Sequence, residues 1–64
     1  MTAYDSNALE LAGDVMEARQ RLGLTQVEFG KRCWLSGARI SQIERAVKPT
    51  PEATARRIRR VLGL

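Results

Sequence analysis

The side chains of this 64-residue chain that are most suited to chemistry are its cations. There are 11 lysines and arginines against 7 aspartates and glutamates, which leaves a net charge of +4. The excess lies in residues 36–64, where seven cations accompany two carboxylates, whereas residues 1–35 carry four cations and five carboxylates. A basic half on a small domain indicates a polyanionic partner, most often nucleic acid, although solvated basic helix faces give the same composition.

Catalysis has few candidate groups in this sequence. There is no histidine, which excludes a histidine general base, a Ser-His-Asp triad and a histidine-ligated metal site. The single cysteine, Cys33, has no second thiol for a disulfide or a Cys-x-x-Cys site, and we expect it to be a small core residue. The seven carboxylates form no catalytic arrangement. We therefore expect a binding protein without cofactor or metal, and not an enzyme.

The same composition predicts the cellular location of the protein. No apolar run approaches the roughly 20 residues that cross a bilayer, so we expect no membrane partner. The first residues lack the basic start and apolar stretch of a signal peptide, and a single cysteine fits a reducing compartment. We expect one domain over residues 1–64, located in the cytoplasm.

The elements that must position the cations are helices, because apolar residues recur at helical spacing and no segment alternates with a period of two. Helix 1 is predicted from about Ala8 to Arg21. Asn7 is its expected N-cap, with Glu10 at the capping-box spacing, and Gly23 is expected to end it. Its predicted apolar stripe is Leu11, Val15, Ala18 and Leu22.

Helix 2 carries the strongest local pattern in the chain. Thr25 and Glu28 are spaced as a capping box, and Leu24 and Phe29 as a hydrophobic staple. Gly30 indicates a position of close contact, because an ordinary helix interior does not favour glycine. The helix is expected to end at about residue 33, with inward-facing side chains Val27, Phe29 and Cys33.

Helix 3 is predicted to begin with the same kind of capping pattern, and its N-cap follows that of helix 2 by 11 residues. Ser36 is the predicted N-cap, Ile40 and Ile43 point to the core, and Ala46 or Val47 closes that stripe. Residues 48 and 49 are expected to end the helix. Its outer surface is predicted to comprise Gly37, Ala38, Arg39, Ser41, Gln42 and Arg45.

Helix 4 is predicted to start with Thr50 as N-cap and Pro51 at the first helical position, where a missing N–H has no cost. Glu52 in the first turn suits the helix dipole. The apolar stripe comprises Ile58, Val61 and Leu62. The helix also carries a cluster of four arginines: Arg56, Arg57, Arg59 and Arg60. We interpret this cluster as a solvated face, and the alternatives are contact with DNA phosphates or with an acidic protein partner.

Two short helices joined by a tight turn, the second with a polar outer face, follow the helix-turn-helix plan. The stretch RQRLGLTQVEFGKRCWLSGARISQIERAVKPT resembles the Cro- and phage-repressor-like (Xre-type) helix-turn-helix domains. The resemblance covers about residues 19–62 and implies an all-α, lambda-repressor-like bundle of four or five helices, with the helix-turn-helix at about residues 25–46. It is carried by Arg19, Leu22-Gly23-Leu24, Thr25-Gln26, Phe29-Gly30, Ser36, Ile40-Ser41, Ile43-Glu44-Arg45 and Pro49.

The resemblance also implies roles for individual residues. The third helix is the one that reads DNA, and Arg39 is suited to guanine O6 and N7 and Gln42 to adenine N6 and N7. Arg19 and Glu44 match a structural ion pair that ties helix 1 to helix 3. The residues expected at the DNA are Gln26 beside the phosphate backbone, Ser36, Gly37, Ala38, Arg39, Ser41 and Gln42 on the third helix, and Arg45 and Lys48 after it.

The sequence departs from the family pattern at the turn. Trp34 and Ala46 stand where the family usually has glycine, and a tryptophan at positive φ would cost roughly 1–2 kcal/mol. Either the turn differs here, or the indole gains contacts that offset the strain. We expect Trp34 to pack on the edge of the domain, with a protein partner as the alternative.

These features lead to two functional hypotheses. The first is a sequence-specific transcriptional regulator of bacterial or phage type, acting at the nucleoid as a homodimer on a two-fold operator in double-stranded DNA. Its two reading helices would lie roughly 34 Å apart. The second is a protein-interaction module or toxin–antitoxin partner that keeps the fold, binds DNA weakly and without sequence preference, and meets its partner through Trp34 and the third helix.

Overall fold

The computed structural model describes residues 6–63, with side chains from Ala8 onward. Every regular element in this part of the chain is a helix, which confirms the predicted all-α class. The four helices are α1 (Ser6–Leu22), α2 (Gln26–Cys33), α3 (Gly37–Glu44) and α4 (Glu52–Leu62). None of these helices is long and apolar enough to cross a membrane.

Side chains from all four helices meet in one core. Those with no residual exposure, or almost none, are Val15, Phe29, Cys33, Ile40 and Ile58. Leu24, Leu35 and Leu62 cover this cluster from the connecting segments and the end of α4. A second, smaller cluster of Ala8, Ala12 and Ala46 joins the start of α1 to the segment after α3. The core therefore fixes α3 through one face, that of Ile40 and Ile43.

Two expectations for α1 were wrong. The helix starts at Ser6, so Asn7 lies inside it and is not the N-cap. Leu22 is not part of the apolar stripe, since 51% of its surface is exposed. Gly23 takes a φ of 70° and reverses the chain, with the Leu24 N–H donating to the Arg19 carbonyl at 3.0 Å. Because of this reversal, Leu24 covers the core in place of Leu22.

The predicted bounds and capping box of α2 are confirmed. The Thr25 N–H donates to Glu28 Oε1 at 2.8 Å, and the Glu28 N–H donates to Thr25 Oγ1 at 3.1 Å. Val27, however, was wrongly predicted to face inward: it is 55% exposed, while Phe29 is fully buried. Residues two apart point to nearly opposite sides of an α-helix, so both cannot face the same core.

The turn after α2 depends on Gly30. The Leu35 N–H donates to the Gly30 carbonyl at 2.8 Å, which draws the start of the next segment onto the helix. A Cβ atom at residue 30 would lie against the Leu35 carbonyl oxygen, closer than real Cβ atoms come. The prediction that Gly30 marks a close contact is therefore confirmed.

The cap of α3 is confirmed but its end is not. The Arg39 N–H donates to Ser36 Oγ at 3.0 Å. The helix ends at Glu44, earlier than residues 48 and 49, because Ala46 adopts a φ of 52° and breaks the helical path. Ala46 is buried and Val47 is exposed, so Ala46 closes the apolar stripe.

At α4 the cap was misplaced by one residue. Pro51 occupies the N-cap position with extended backbone and no side-chain hydrogen bond, so Thr50 is not the cap. On the buried face, Ala55 accompanies Ile58, whereas 37% of the Val61 surface stays exposed. Residues 55, 58 and 62 share a face at helical spacing, which leaves residue 61 to one side.

We predict opposite effects of alanine at two helical glycines. Gly30→Ala should destabilise the protein by about 1–3 kcal/mol, because the new methyl group meets backbone that cannot move aside. Gly13→Ala is the matched control: nothing lies within 4 Å of its Cβ position, so it should stabilise α1 by about 0.5–1 kcal/mol. Urea unfolding followed by circular dichroism measures both. A stabilising Gly30→Ala would contradict the described turn.

We also predict that Cys33 is chemically silent in the folded protein. The thiol is fully buried, and burial raises its pKa against a smaller opposing effect of the Arg57 charge, so the reactive thiolate is disfavoured. A thiol-specific disulfide reagent at neutral pH should label Cys33 only as fast as the protein opens, and faster as urea is added. Rapid labelling without denaturant would contradict this burial.

Candidate nucleic-acid interface

The surface of α3 that the core leaves uncovered carries most of the residues predicted to contact DNA. Ala38 and Arg45 are exposed, and Arg39, Ser41 and Gln42 are half-buried. Arg39 and Gln42 are three residues apart and are therefore neighbours on the helix surface. Within the described part of the chain, neither of their side chains makes a hydrogen bond or ion pair. Both side chains are thus available to another molecule.

The first turn of α3 presents backbone donors with little side chain around them. Ser36 Oγ accepts from the Arg39 N–H and the Ser36 carbonyl accepts from the Ile40 N–H. The N–H groups of Gly37 and Ala38 have no acceptor among the described residues. These two N–H groups point along the helix axis at the N-terminus, where the helix dipole favours an anion or another acceptor.

Gly37 also has a packing role that the sequence did not reveal. A Cβ atom at residue 37 would lie 2.7 Å from Val27 Cγ2, so a larger residue would push α3 away from α2. The exposed Val27 side chain of α2 therefore lies beside the start of α3, where the two helices meet. The only sequence signal for this contact is that a bulky β-branched residue, Val27, on α2 is matched by a glycine, Gly37, at the start of α3.

The N-terminus of α2 is arranged differently from that of α3. Glu28 lies there, and its pKa is held below the usual range, first by the hydrogen bond from the Thr25 backbone N–H and then by one from the Thr25 side chain. The Gln26 side chain is not free, because its Nε2 donates to Glu44 Oε1 at 3.0 Å. This bond leaves its second amide N–H and its carbonyl oxygen for a ligand.

Glu44 holds three parts of the chain together. Its Oε2 accepts from Arg19 Nε at 2.7 Å, and its Oε1 accepts from Arg19 Nη2 at 3.2 Å and from Gln26 Nε2. Arg19 Nη1 also donates to the Leu24 carbonyl at 3.2 Å. The Glu44 side chain is only 6% exposed and that of Arg19 21%. This network, referred to below as the Glu44 network, joins the end of α1, the start of α2 and the end of α3.

The Glu44 network also sets the charge of the surface around α3. Because Arg19 neutralises Glu44, the remaining charges there are those of Arg39, Arg45 and Lys48, of which the last two are exposed. Arg45 is the C-cap residue of α3, and Lys48 follows in the connection to α4. The structure therefore groups these three cations around one helix.

The four arginines of α4 form a separate surface. Arg56 and Arg59 each lie 3.9 Å from a carboxylate oxygen of Glu52. Arg56, Arg57 and Arg60 line a shallow groove of about 270 Å³ together with Ala53. The helix packs mainly against α1 and α2, so its outer face is separate from the surface of α3 that carries the predicted DNA contacts.

Trp34 was wrongly expected to pack on the edge of the domain. It is the C-cap residue of α2 with φ 62° and ψ 37°, the left-handed conformation, and its N–H donates to the carbonyls of Gly30 and Lys31. Its side chain is 85% exposed. Neither alternative holds: the turn keeps the left-handed conformation, and the indole gains little contact within the described residues to offset the strain.

We predict that the Glu44 network is structural. Glu44→Gln should destabilise the protein by about 2–3 kcal/mol, because it leaves the Arg19 guanidinium half-buried without its counter-charge. The matched control is Glu52→Gln, whose exposed ion pairs at 3.9 Å should contribute less than about 1 kcal/mol. Urea unfolding of both variants measures the difference. Equal effects of the two substitutions would contradict the role given to Glu44.

Comparison with known proteins agrees with this geometry. The helix-turn-helix family HTH_3 matches residues 15–64 of the chain. Neither the comparison with curated proteins nor that with solved structures gave a match. The matched segment contains α2, the turn at Trp34, α3 and both ends of the Glu44 network. The chain therefore belongs to the HTH_3 family of DNA-binding helix-turn-helix domains.

Proposed function

We propose that this protein is a sequence-specific transcriptional regulator of bacterial or phage type that acts in the cytoplasm, at the nucleoid, by inserting α3 into the major groove of DNA. One observation carries the proposal. The core fixes α3 through Ile40 and Ile43, whereas the half-buried Arg39 and Gln42 side chains beside them have no partner among the described residues. A helix held on one face and available on the other is the arrangement that fits a groove.

Direct readout would rest on Arg39, Ser41 and Gln42 of α3. Arg39 can pair with guanine and Gln42 with adenine, each through two hydrogen bonds worth ~1–3 kcal/mol of discrimination. The Ala38 methyl group suits the methyl group of thymine. With small residues at 37 and 38, the shape and deformability of the DNA carry the rest of the specificity.

Contacts to the phosphate backbone would fix the position of α3 on the duplex. Arg45 and Lys48 are exposed cations beside α3, and Gln26 with the N-terminus of α2 offers N–H donors. The Gln26 amide is hydrogen-bonded to Glu44 at the end of α3. A phosphate bound by Gln26 would therefore be held at a fixed position relative to α3. On a two-fold operator, two copies would place their α3 helices one turn of DNA apart, roughly 34 Å.

The experiment that tests this function is a selection from random duplexes at two salt concentrations, followed by titration of the enriched sites. We expect a two-fold motif bound roughly 10³-fold or more tightly than random DNA at the same salt. Salt-steep binding without a motif would instead favour the second hypothesis, a protein-interaction module that retains the fold.

We predict distinct signatures for base and phosphate contacts. Arg39→Ala and Gln42→Ala should each cost about 1–3 kcal/mol of binding and relax the motif at one position. Lys48→Ala should weaken binding to all sequences and reduce the salt slope by about 1.

The matched control is Arg60→Ala, which removes the same charge from the outer face of α4. It should change neither the motif nor, beyond a general electrostatic effect, the affinity. If Arg39→Ala and Gln42→Ala leave DNA binding untouched, α3 is not the reader.

A further inference from the structure

Trp34 combines backbone strain with exposure. Its φ of 62° lies in the left-handed region, where an L side chain is disfavoured and glycine is preferred. This conformation is imposed by the turn, because the Trp34 N–H caps α2 and the Leu35 N–H must reach the Gly30 carbonyl. The side chain is 85% exposed, so almost none of its surface is buried within the protein. Glycine would suit this position better in the isolated chain.

The charged residues nearest to Trp34 along the chain are cations. The segment from Phe29 to Ile43 contains three cations, Lys31, Arg32 and Arg39, and no carboxylate. Lys31 and Arg32 lie in the last turn of α2 and are both exposed. An occupant that covers the indole would therefore bring acceptors or negative charge to this surface.

Trp34 also lies close to the proposed reading helix. It precedes Ser36, the N-cap of α3, by two residues, which is at most about 7 Å along the chain. If the N-terminal end of α3 reads base edges inside a groove, the turn before it would lie near the rim of that groove. The rim of a duplex offers flat apolar sugar surfaces and phosphate oxygens, whereas an indole offers a flat apolar ring and one N–H donor.

We propose that the Trp34 indole packs on the sugar–phosphate backbone at the rim of the major groove that receives α3, with Nε1–H donating to a phosphate oxygen. This inference rests on the proposed function, since it requires α3 to bind duplex DNA. The contact adds affinity without selecting bases. It also supplies, outside the protein, the contacts that offset the strain of the turn.

The test uses the intrinsic fluorescence of the protein, because Trp34 is the single tryptophan of the chain. The probe is a duplex of about 20 base pairs of mixed sequence at low salt, where sequence-independent binding is strong. Binding is followed separately by the anisotropy of a dye on the DNA. On saturation we expect the indole emission to change and its quenching by acrylamide to fall.

Two glycine variants separate this contact from backbone strain. Trp34→Gly should unfold at a higher urea concentration than the wild type but bind the duplex about tenfold more weakly, since it loses a hydrogen bond to a charged group. Ala46→Gly relieves the other positive-φ residue, at 52°, and should leave duplex affinity within roughly twofold. Trp34→Phe keeps an aromatic ring but lacks the N–H, so its loss of affinity should be smaller than that of the glycine variant.

Three results would overturn the inference. If the duplex binds but the emission and acrylamide quenching of Trp34 stay unchanged, the indole does not touch DNA and is available for a protein partner. If Trp34→Gly and Trp34→Phe bind as tightly as the wild type, the contact does not contribute. In both cases the proposed function survives. If the wild type binds no duplex at all, the proposed function fails, and this inference fails with it.

Discussion

The ion pair between Arg19 and Glu44 is the constraint on which the rest of the arrangement depends. It joins α1 to the end of α3 through two hydrogen bonds, and the same carboxylate holds the Gln26 amide at the start of α2. A small domain has few apolar side chains with which to fix short helices. Here a nearly buried carboxylate defines the relative position of three helix ends, and every buried polar side-chain atom in the described residues has a partner.

Around this network, α3 has one face committed to the core, and we propose that the remaining surface binds DNA. Ile40 and Ile43 bury one face, Ser36 caps the start, and Gly37 admits Val27 at close range. The non-glycine residues with positive φ in the described chain, Trp34 and Ala46, lie just before and just after this helix. The strain at Ala46 is accompanied by burial against Ala8 and Ala12, whereas Trp34 has no comparable packing. The turn into α3 therefore keeps a cost that packing within the described residues does not offset.

Much of the fold could be predicted from local chemistry. The Thr25 capping box, the Ser36 cap and the close contact at Gly30 follow from residue types and spacing, because each depends on neighbours along the chain. Predictions failed where tertiary context decides. Leu22 and Val27 are apolar but exposed, since a turn at Gly23 and the rotation of α2 assign the core positions to Leu24 and Phe29. At α4, the N-cap is Pro51 and not Thr50, because the backbone at Pro51 is still extended.

In the candidate site, too, contacts between residues distant in sequence could not be predicted from local patterns. Arg19 and Glu44 were named together only because the sequence resembles a known family, and they are in contact. The bond from Gln26 to Glu44 was not foreseen, because it spans 18 residues and leaves no local pattern. The exposure of Trp34 could not be predicted either, since neither residue type nor spacing indicates how much of a turn side chain the core will cover. The roles of Arg39 and Gln42 stay predictions.

The most direct measurement of the central claim, that the outer face of α3 meets DNA, is the change in backbone amide shifts of the ¹⁵N-labelled protein as duplex DNA is added. The account predicts that the largest changes occur at the start of α2, along residues 36–42, and at Arg45 and Lys48. The amides of Ile40 and Ile43 should stay protected from solvent exchange throughout, because both donate to backbone carbonyls of the α3 turn and helix. Changes confined to the arginines of α4, with α3 unaffected, would contradict the account and assign DNA binding to the other basic surface.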